Sequence, residues 1–368
     1  MDPIITSPDI LPIPAPYWLI LSLLILTFLV HLVFMNLLLG GTFLSAFNYL
    51  FGKNNPKKIH LSKKMFGFMP VIIAVAVNFG VAPLLFVQTL YGHLLYSSSI
   101  LMAVFWFSII LLLIFGYYGT YLLKFRWDKT GQAKTLVTAI VSVIFAVIAF
   151  FFVNNMTLML RPETWQQHYF SDPAAGSLNW SDIQIYPRYL HVFLGAIAVT
   201  GVWIMIIGIR KLTGDEEWSG WAVKYGSRLF FYTTLVNIVM GFLFLFANPR
   251  EIWMIFMGQN MTATILLALS ILLVISALIT IYKAGKAENP AKQTYIGAGH
   301  LLLILLFMII MRHQLRDAYL EPYFSLDQLK VSAQWDVFFL FVVILLIGIG
   351  ALAWMIKVVL NMKKPESS

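Results

Sequence analysis

Between Tyr186 and Leu212 the sequence YPRYLHVFLGAIAVTGVWIMIIGIRKL is apolar over the length of a membrane-crossing helix and admits one histidine, His191, a turn inside its first end. On a helix His191, Gly195, Ala198 and Val202 share a face, at spacings of four, three and four. An imidazole set among small residues suits a bulky flat group lying against the helix, with the ring nitrogen as a ligand to haem iron. The same pattern also suits a neighbouring helix that packs closely and hydrogen-bonds the ring.

Other groups of comparable chemistry fall near the ends of apolar segments. Met261 opens the stretch MTATILLAL, and a thioether is a possible axial ligand that raises a haem's potential, although most of the 16 methionines fill apolar space. His313 is followed three residues later by Arg316 on the same side of a helix, and Asn154, Asn155 and Arg161 close the stretch VNNMTLMLRPETW. His31 stands inside the first apolar segment, sharing a face with Met35 and Leu38. Imidazole and thioether ligands beside interfacial guanidinium groups are what a haem b needs: axial atoms for iron, arginine for the propionates and apolar walls for the porphyrin. His60, in a basic loop, reads as solvated, and His300, thirteen residues before His313, as a packed or water-bonded side chain.

The elements that must position these groups follow from composition. Hydrophobic residues make up 60% of the 368 and charged residues 11%, which excludes a soluble globular protein. The fold expected is all-α and polytopic. About nine spans are predicted, near 17–50, 66–91, 98–124, 135–160, 186–210, 222–248, 260–282, 293–315 and 334–360. Residues 1–16 are expected to form an outer N-terminal segment, 17–361 a single membrane domain and 362–368 a cytoplasmic tail. The acidic, proline-rich start lacks a basic region, so the first helix is expected to be kept. With no cysteine, disulfides, iron–sulfur clusters, thiolate zinc and covalent haem are excluded. No internal repeat is evident, and an odd span count argues against a simple duplicated transporter.

Of the 25 Lys and Arg, 19 fall in alternate loops and the C-terminus and 6 in the others. The positive-inside rule therefore predicts the N-terminus outside and the C-terminus inside. Topology accounts for the net charge of +9 without a nucleic-acid partner. His31 aside, the candidate groups then gather towards the outer face.

Taken in order, these motifs resemble those of subunit I of cytochrome bd-type quinol oxidases, over most of the chain. HLVFMNLLLGGTFLSAFNYL resembles the first helix, which carries an axial histidine of the active-site haem pair, and this implies that role for His31. FFFVNNMTLMLRPETW resembles the asparagine-containing end of span four. YPRYLHVFLGAIAVTGVWIM and MGQNMTATILLAL resemble the helices that supply the histidine and methionine of the low-spin haem b, which implies His191 and Met261. IIMRHQLRDAYL resembles the end of span eight, where the family has a glutamate ligand and an arginine three residues on; here these are His313 and Arg316. The resemblance implies two or three haems, haem b among them, and a second membrane subunit.

The chain also departs from the family. Histidine replaces glutamate at 313, the Gly-Arg-Gln-Pro-Trp signature is missing, and about a dozen residues, NPREIWMIFMGQ, stand where the family has a long quinol-binding loop. No Asp or Glu lies centrally in any predicted span, so protons for dioxygen reduction would come from the outer side or through water and hydroxyl groups. The function expected is a haem-binding respiratory subunit that takes electrons from quinol or an outer-side cytochrome c, with dioxygen reduction as one terminal step.

Two alternatives belong to other classes. One is a secondary transporter or channel that uses His31, Asn78, Arg161 and His313, with helices broken at Pro70 and Pro83. The other is a haem-free structural subunit of a respiratory complex. Trp165, Tyr169, Trp180, Asp172 and Asp182 mark an aromatic, mildly acidic outer surface, open to a basic cytochrome or simply part of an interfacial belt.

Overall fold

The structure, a computed structural model, describes residues 12–171, 174–211 and 215–361. Among these residues there are no strands, and one isolated bridge pairs Ile13 with Val331. Nine helices are long and apolar enough to cross a membrane: α1 (Tyr17–Phe51), α2 (Pro56–Leu101), α3 (Ala103–Arg126), α4 (Ala133–Leu158), α6 (Ile185–Ile209), α7 (Glu216–Phe246), α9 (Met261–Lys286), α10 (Ala291–Leu320) and α11 (Trp335–Asn361). Two short helices, α5 (Trp165–Ser171) and α8 (Arg250–Met254), lie in the connections. With a mean hydropathy of +0.83, the chain is a multi-pass membrane protein embedded in a lipid bilayer. The expected tail, 362–368, lies outside the described residues, and the expected leading segment is described only from residue 12.

Local chemistry sets several helix starts. Asn55 accepts from the amides of Lys57 and Lys58 at 3.0 and 3.4 Å, with Pro56 in the first turn of α2. Asp215 accepts from Trp218 at 2.9 Å to open α7, and Asn260 from Ala263 at 3.1 Å to open α9.

The second helix differs from expectation. A loop between the predicted spans 66–91 and 98–124 is replaced by continuous helix to Leu101, kinked at Tyr91 where φ is −131° and ψ 31°. Burial holds this stretch in place: Leu94 and Leu95 are buried in an apolar cluster with Leu158, Met159 and Leu320, while the Ser97 and Ser98 hydroxyls donate back to the carbonyls of His93 and Leu95 at 2.8 and 3.0 Å. The breaks expected at Pro70 and Pro83 in the transporter reading are absent as well: both prolines sit within α2, whose only non-helical dihedrals are at Tyr91.

The helices group as α1–α4 and as α6, α7, α9 and α10. The most extensive contacts are within the hairpins α1–α2 and α6–α7, and α1 against α6 joins the two groups. At that seam Gly40 is indispensable, because a Cβ there would stand 2.1 Å from the Ala196 carbonyl oxygen, so the two backbones touch. Lipid chains are as apolar as leucine, so helices in a bilayer associate through such close packing and not by escape from water. Helix α11 leaves its described side chains almost wholly exposed.

Candidate functional site

His31 and His191 are held in the same way on different hairpins. The Nδ1 of His31 lies 2.8 Å from the Ala76 carbonyl on α2, and that of His191 lies 3.2 Å from the Asn237 carbonyl on α7. Sequence separations match too, 45 residues in the first pair and 46 in the second. A carbonyl only accepts, so the facing nitrogen in each ring carries the proton, and in the neutral ring Nε2 keeps its lone pair. This is the arrangement of a metal-ligating histidine, whose second nitrogen is anchored by a backbone carbonyl. In both helices the histidine and the next four residues are partly exposed and the following five are buried, so the apolar wall beside each ring stands open. The sequence shows no repeat because the correspondence lies in backbone geometry and burial, not in residue identity.

His313 is placed differently. Its Nε2 is 3.1 Å from the Asp317 carboxylate one turn on, and its Nδ1 is 3.5 Å from the Tyr91 hydroxyl, which donates to Asp317 at 3.0 Å. Both ring nitrogens face polar partners, so binding iron through Nε2 would require His313 to leave Asp317. Met261, the first residue of α9, has a side chain 69% exposed. Asn155 is buried; its Nδ2 donates to Ser99 at 2.9 Å while its Oδ1 has no hydrogen-bond partner. Tyr91 thus joins α2 to the end of α10, which explains why α2 continues past the expected loop.

The arginines divide into two kinds. Arg161 donates from Nε to Glu163 at 2.5 Å and from Nη1 to Asp182 at 3.3 Å. Burial depresses its pKa, but these carboxylates outweigh burial and leave it above the usual arginine value. Arg188, Arg312 and Arg316 instead converge with Met156, Met159, Leu160 and Leu315 on one cavity. Among the described residues no carboxylate pairs with any of the three. Arg188 and Arg316 are buried; Arg188 donates to Thr157 at 3.0 Å, and Nη1 of Arg316 has no partner. Arg312 lies 4.9 Å from the ring of Phe28, which stacks on His31 at 6.0 Å, and Arg316 lies 4.8 Å from the ring of Tyr91. Since Arg188 precedes His191 by one turn, the cavity is linked to both anchored histidines.

Arg188 and Arg312 are two of the six basic residues outside the basic loops, and their convergence with Arg316 is not visible from their positions in the sequence. The available signal was three arginines at the ends of two apolar segments. The expected aromatic, acidic surface is also revised. Tyr169 and Trp180 are exposed, but Trp165 is buried and donates to the Leu158 carbonyl at 2.9 Å. The side chain of Asp182 is only 7% exposed and accepts from Arg161 and Gln184, so both residues build the loop and not its face. Asp172 lies outside the described residues. Among the described residues no cluster of three or more His, Asp or Glu forms a site for a bare metal ion.

Fold and site together define a helical membrane protein with two carbonyl-anchored imidazoles and a cavity lined by three arginines near them. Among solved structures, the chain is similar to the bd oxidase from Geobacillus thermodenitrificans, with 13% identity, a TM-score of 0.69, and alignment over 96% of this chain and 99% of that chain. At that identity the likeness is one of fold. No family model matches the sequence, and no curated protein matches it.

Proposed function

We propose that this chain is a haem-binding electron-transfer subunit of a respiratory membrane complex, built like subunit I of a bd-type oxidase. The observation that carries this reading is the cavity of Arg188, Arg312 and Arg316. In a bilayer a buried guanidinium without a counter-ion is costly, so three around one space call for an anionic group. The two propionates of a haem b supply such charge, and the porphyrin suits the open apolar walls beside His31 and His191.

Bound haem b supplies a one-electron iron couple and, with an open coordination position, a place for dioxygen. The chain's part is to hold it. His31 and His191 offer Nε2 while Nδ1 is fixed, and Arg188, Arg312 and Arg316 neutralise carboxylates. Met261 is the second ligand that the family resemblance implies for the His191 site. Two or three haems per chain, the N-terminus outside, and a prokaryotic plasma membrane complete the reading. Its partners would be a second membrane subunit and, as electron donor, quinol or an outer-side cytochrome c.

The test is a pyridine haemochrome assay and a reduced-minus-oxidised spectrum on detergent-purified protein. Two or three haems are expected, with one signal lost in His191→Ala. A colourless protein overturns the proposal, as does retention of every haem signal in that variant. The same arginines favour a second reading, an anion transporter or channel, which predicts colourless protein and arginine-dependent anion flux in vesicles.

A further inference from the structure

The helix carbonyls that anchor the two histidines are already engaged. Within an α-helix the carbonyl of Ala76 faces the amide of Gly80, and that of Asn237 faces the amide of Gly241, four residues on in each case. For an imidazole to share such a carbonyl it must lie flat against the turn that follows. A side chain at the fourth residue occupies that space, and in both hairpins the fourth residue is glycine. A Cβ on Gly80 would stand 2.8 Å from both Cε1 and Nδ1 of His31. A Cβ on Gly241 would stand 3.1 Å from Cε1 and 3.2 Å from Nδ1 of His191.

These glycines are not required by backbone conformation, since neither has a left-handed φ. Nor does helix–helix backbone contact crowd them first: at Gly241 the atoms of other turns and helices within 4 Å of an added Cβ belong to His191, and at Gly80 the three nearest all belong to His31. Gly67, Gly92 and Gly299 have nothing within that distance and form a natural control set. Space at 80 and 241 is therefore reserved for the two imidazoles.

We propose that Gly80 and Gly241 are positioning residues: each seats one imidazole on a shared helix carbonyl, fixing its tautomer and ring orientation so that Nε2 is presented to haem iron. The inference rests on the reading of His31 and His191 as haem ligands and adds the element that sets their geometry. An anchored Nδ1–H makes the ligand more basic and its ring plane unique, and outer partners of this kind tune both affinity and potential. The tighter fit at Gly80 makes the His31 site the more sensitive of the two.

Gly80→Ala and Gly241→Ala in the full chain, purified with its haems, test this by potentiometric optical titration and low-temperature EPR. Gly80→Ala is expected to lower haem affinity at one site by roughly tenfold or more, with a changed spin-state signature in the haem that remains. Gly241→Ala is expected to retain its haem but shift one midpoint potential. Each variant should leave the other haem unchanged, and Gly67→Ala and Gly299→Ala should match the parent. Adding Gly241→Ala to a His191→Ala background should leave the remaining spectrum unchanged and should not lower the thermal midpoint, because the ring that the methyl meets is gone and alanine favours a helix over glycine.

Unchanged potentials and spin states in both variants overturn the inference while leaving haem binding intact. Equal shifts at all haems, or a loss of stability that persists in the His191→Ala background, overturn it in favour of general packing. A parent that carries no haem overturns the functional reading itself.

Discussion

Arg161 and the trio Arg188, Arg312 and Arg316 occupy the same end of the bundle under opposite conditions. Arg161 is held between Glu163 and Asp182, in a loop where water is near and the pairing is complete within the chain. The trio lies among methionine and leucine side chains, with an unpartnered Nη1 on Arg316 and, among the described residues, no carboxylate within ion-pair distance. A chain that pairs one arginine twice yet leaves three unpaired a short distance inward is not short of acids at this end. On the proposed function, the difference separates structural charge, satisfied on folding, from charge that a bound anionic group would neutralise.

The comparison breaks most sharply if the inner trio is neutralised. Arg188→Met with Arg316→Met is expected to lower haem affinity by roughly tenfold per arginine, the size of a lost charge-assisted hydrogen bond, measured as haem per chain after purification. The same pair should raise the thermal midpoint of haem-free protein, because an uncompensated buried charge has been removed. Opposite signs in loaded and haem-free protein are the diagnostic result; a fall in both would make the trio ordinary packing.

A smaller effect is expected on the outer side of the comparison. Asp182→Asn, which weakens the hold on Arg161 and Gln184, should cost about 1–3 kcal/mol in thermal unfolding without altering any haem signal. The smallest concerns His168, half-buried in the same loop with Nδ1 3.0 Å from the Ser177 hydroxyl. Burial holds its pKa below the ordinary 6.5 despite an opposing hydrogen bond with Asn179. The unfolded chain then takes up a proton near pH 6.5 that the folded loop resists, so the contribution is intact above that pH and lost as pH falls below it. Hydrogen exchange across 165–180 should quicken on acidification, and His168→Gln should flatten that dependence.

Much of the fold was legible because hydropathy over a bilayer's thickness is a strong signal, and nine spans follow from it. What escaped depends on groups that composition does not show. The continuation of α2 through 92–101 goes with the burial of Leu94 and Leu95 against other helices and with Tyr91 reaching Asp317 on α10. His31 and His191 stood out as residue types, but their carbonyl partners are backbone atoms, silent in any sequence. Gly80 and Gly241 could have been noticed by their matched separations from the two histidines, 49 and 50 residues. The arginine cavity escaped because Arg316 was paired only with His313, while Arg188 and Arg312 counted only towards orientation. His313 looked equivalent to the other histidines until its two nitrogens were seen to face Tyr91 and Asp317.

The seam at Gly40 carries a consequence of another kind. There α1 meets the Ala196 carbonyl of α6 backbone to backbone, five residues beyond His191 and nine beyond His31. Two rotamer-free surfaces in contact act as a ruler: they cannot slide without one backbone entering the other, whereas side-chain contacts yield by small rotations. Electron tunnelling falls off exponentially with separation, so a pair of redox centres mounted on α1 and α6 would have its transfer rate set by main-chain geometry. Substituting Gly40 would then change a distance before it changed any ligand.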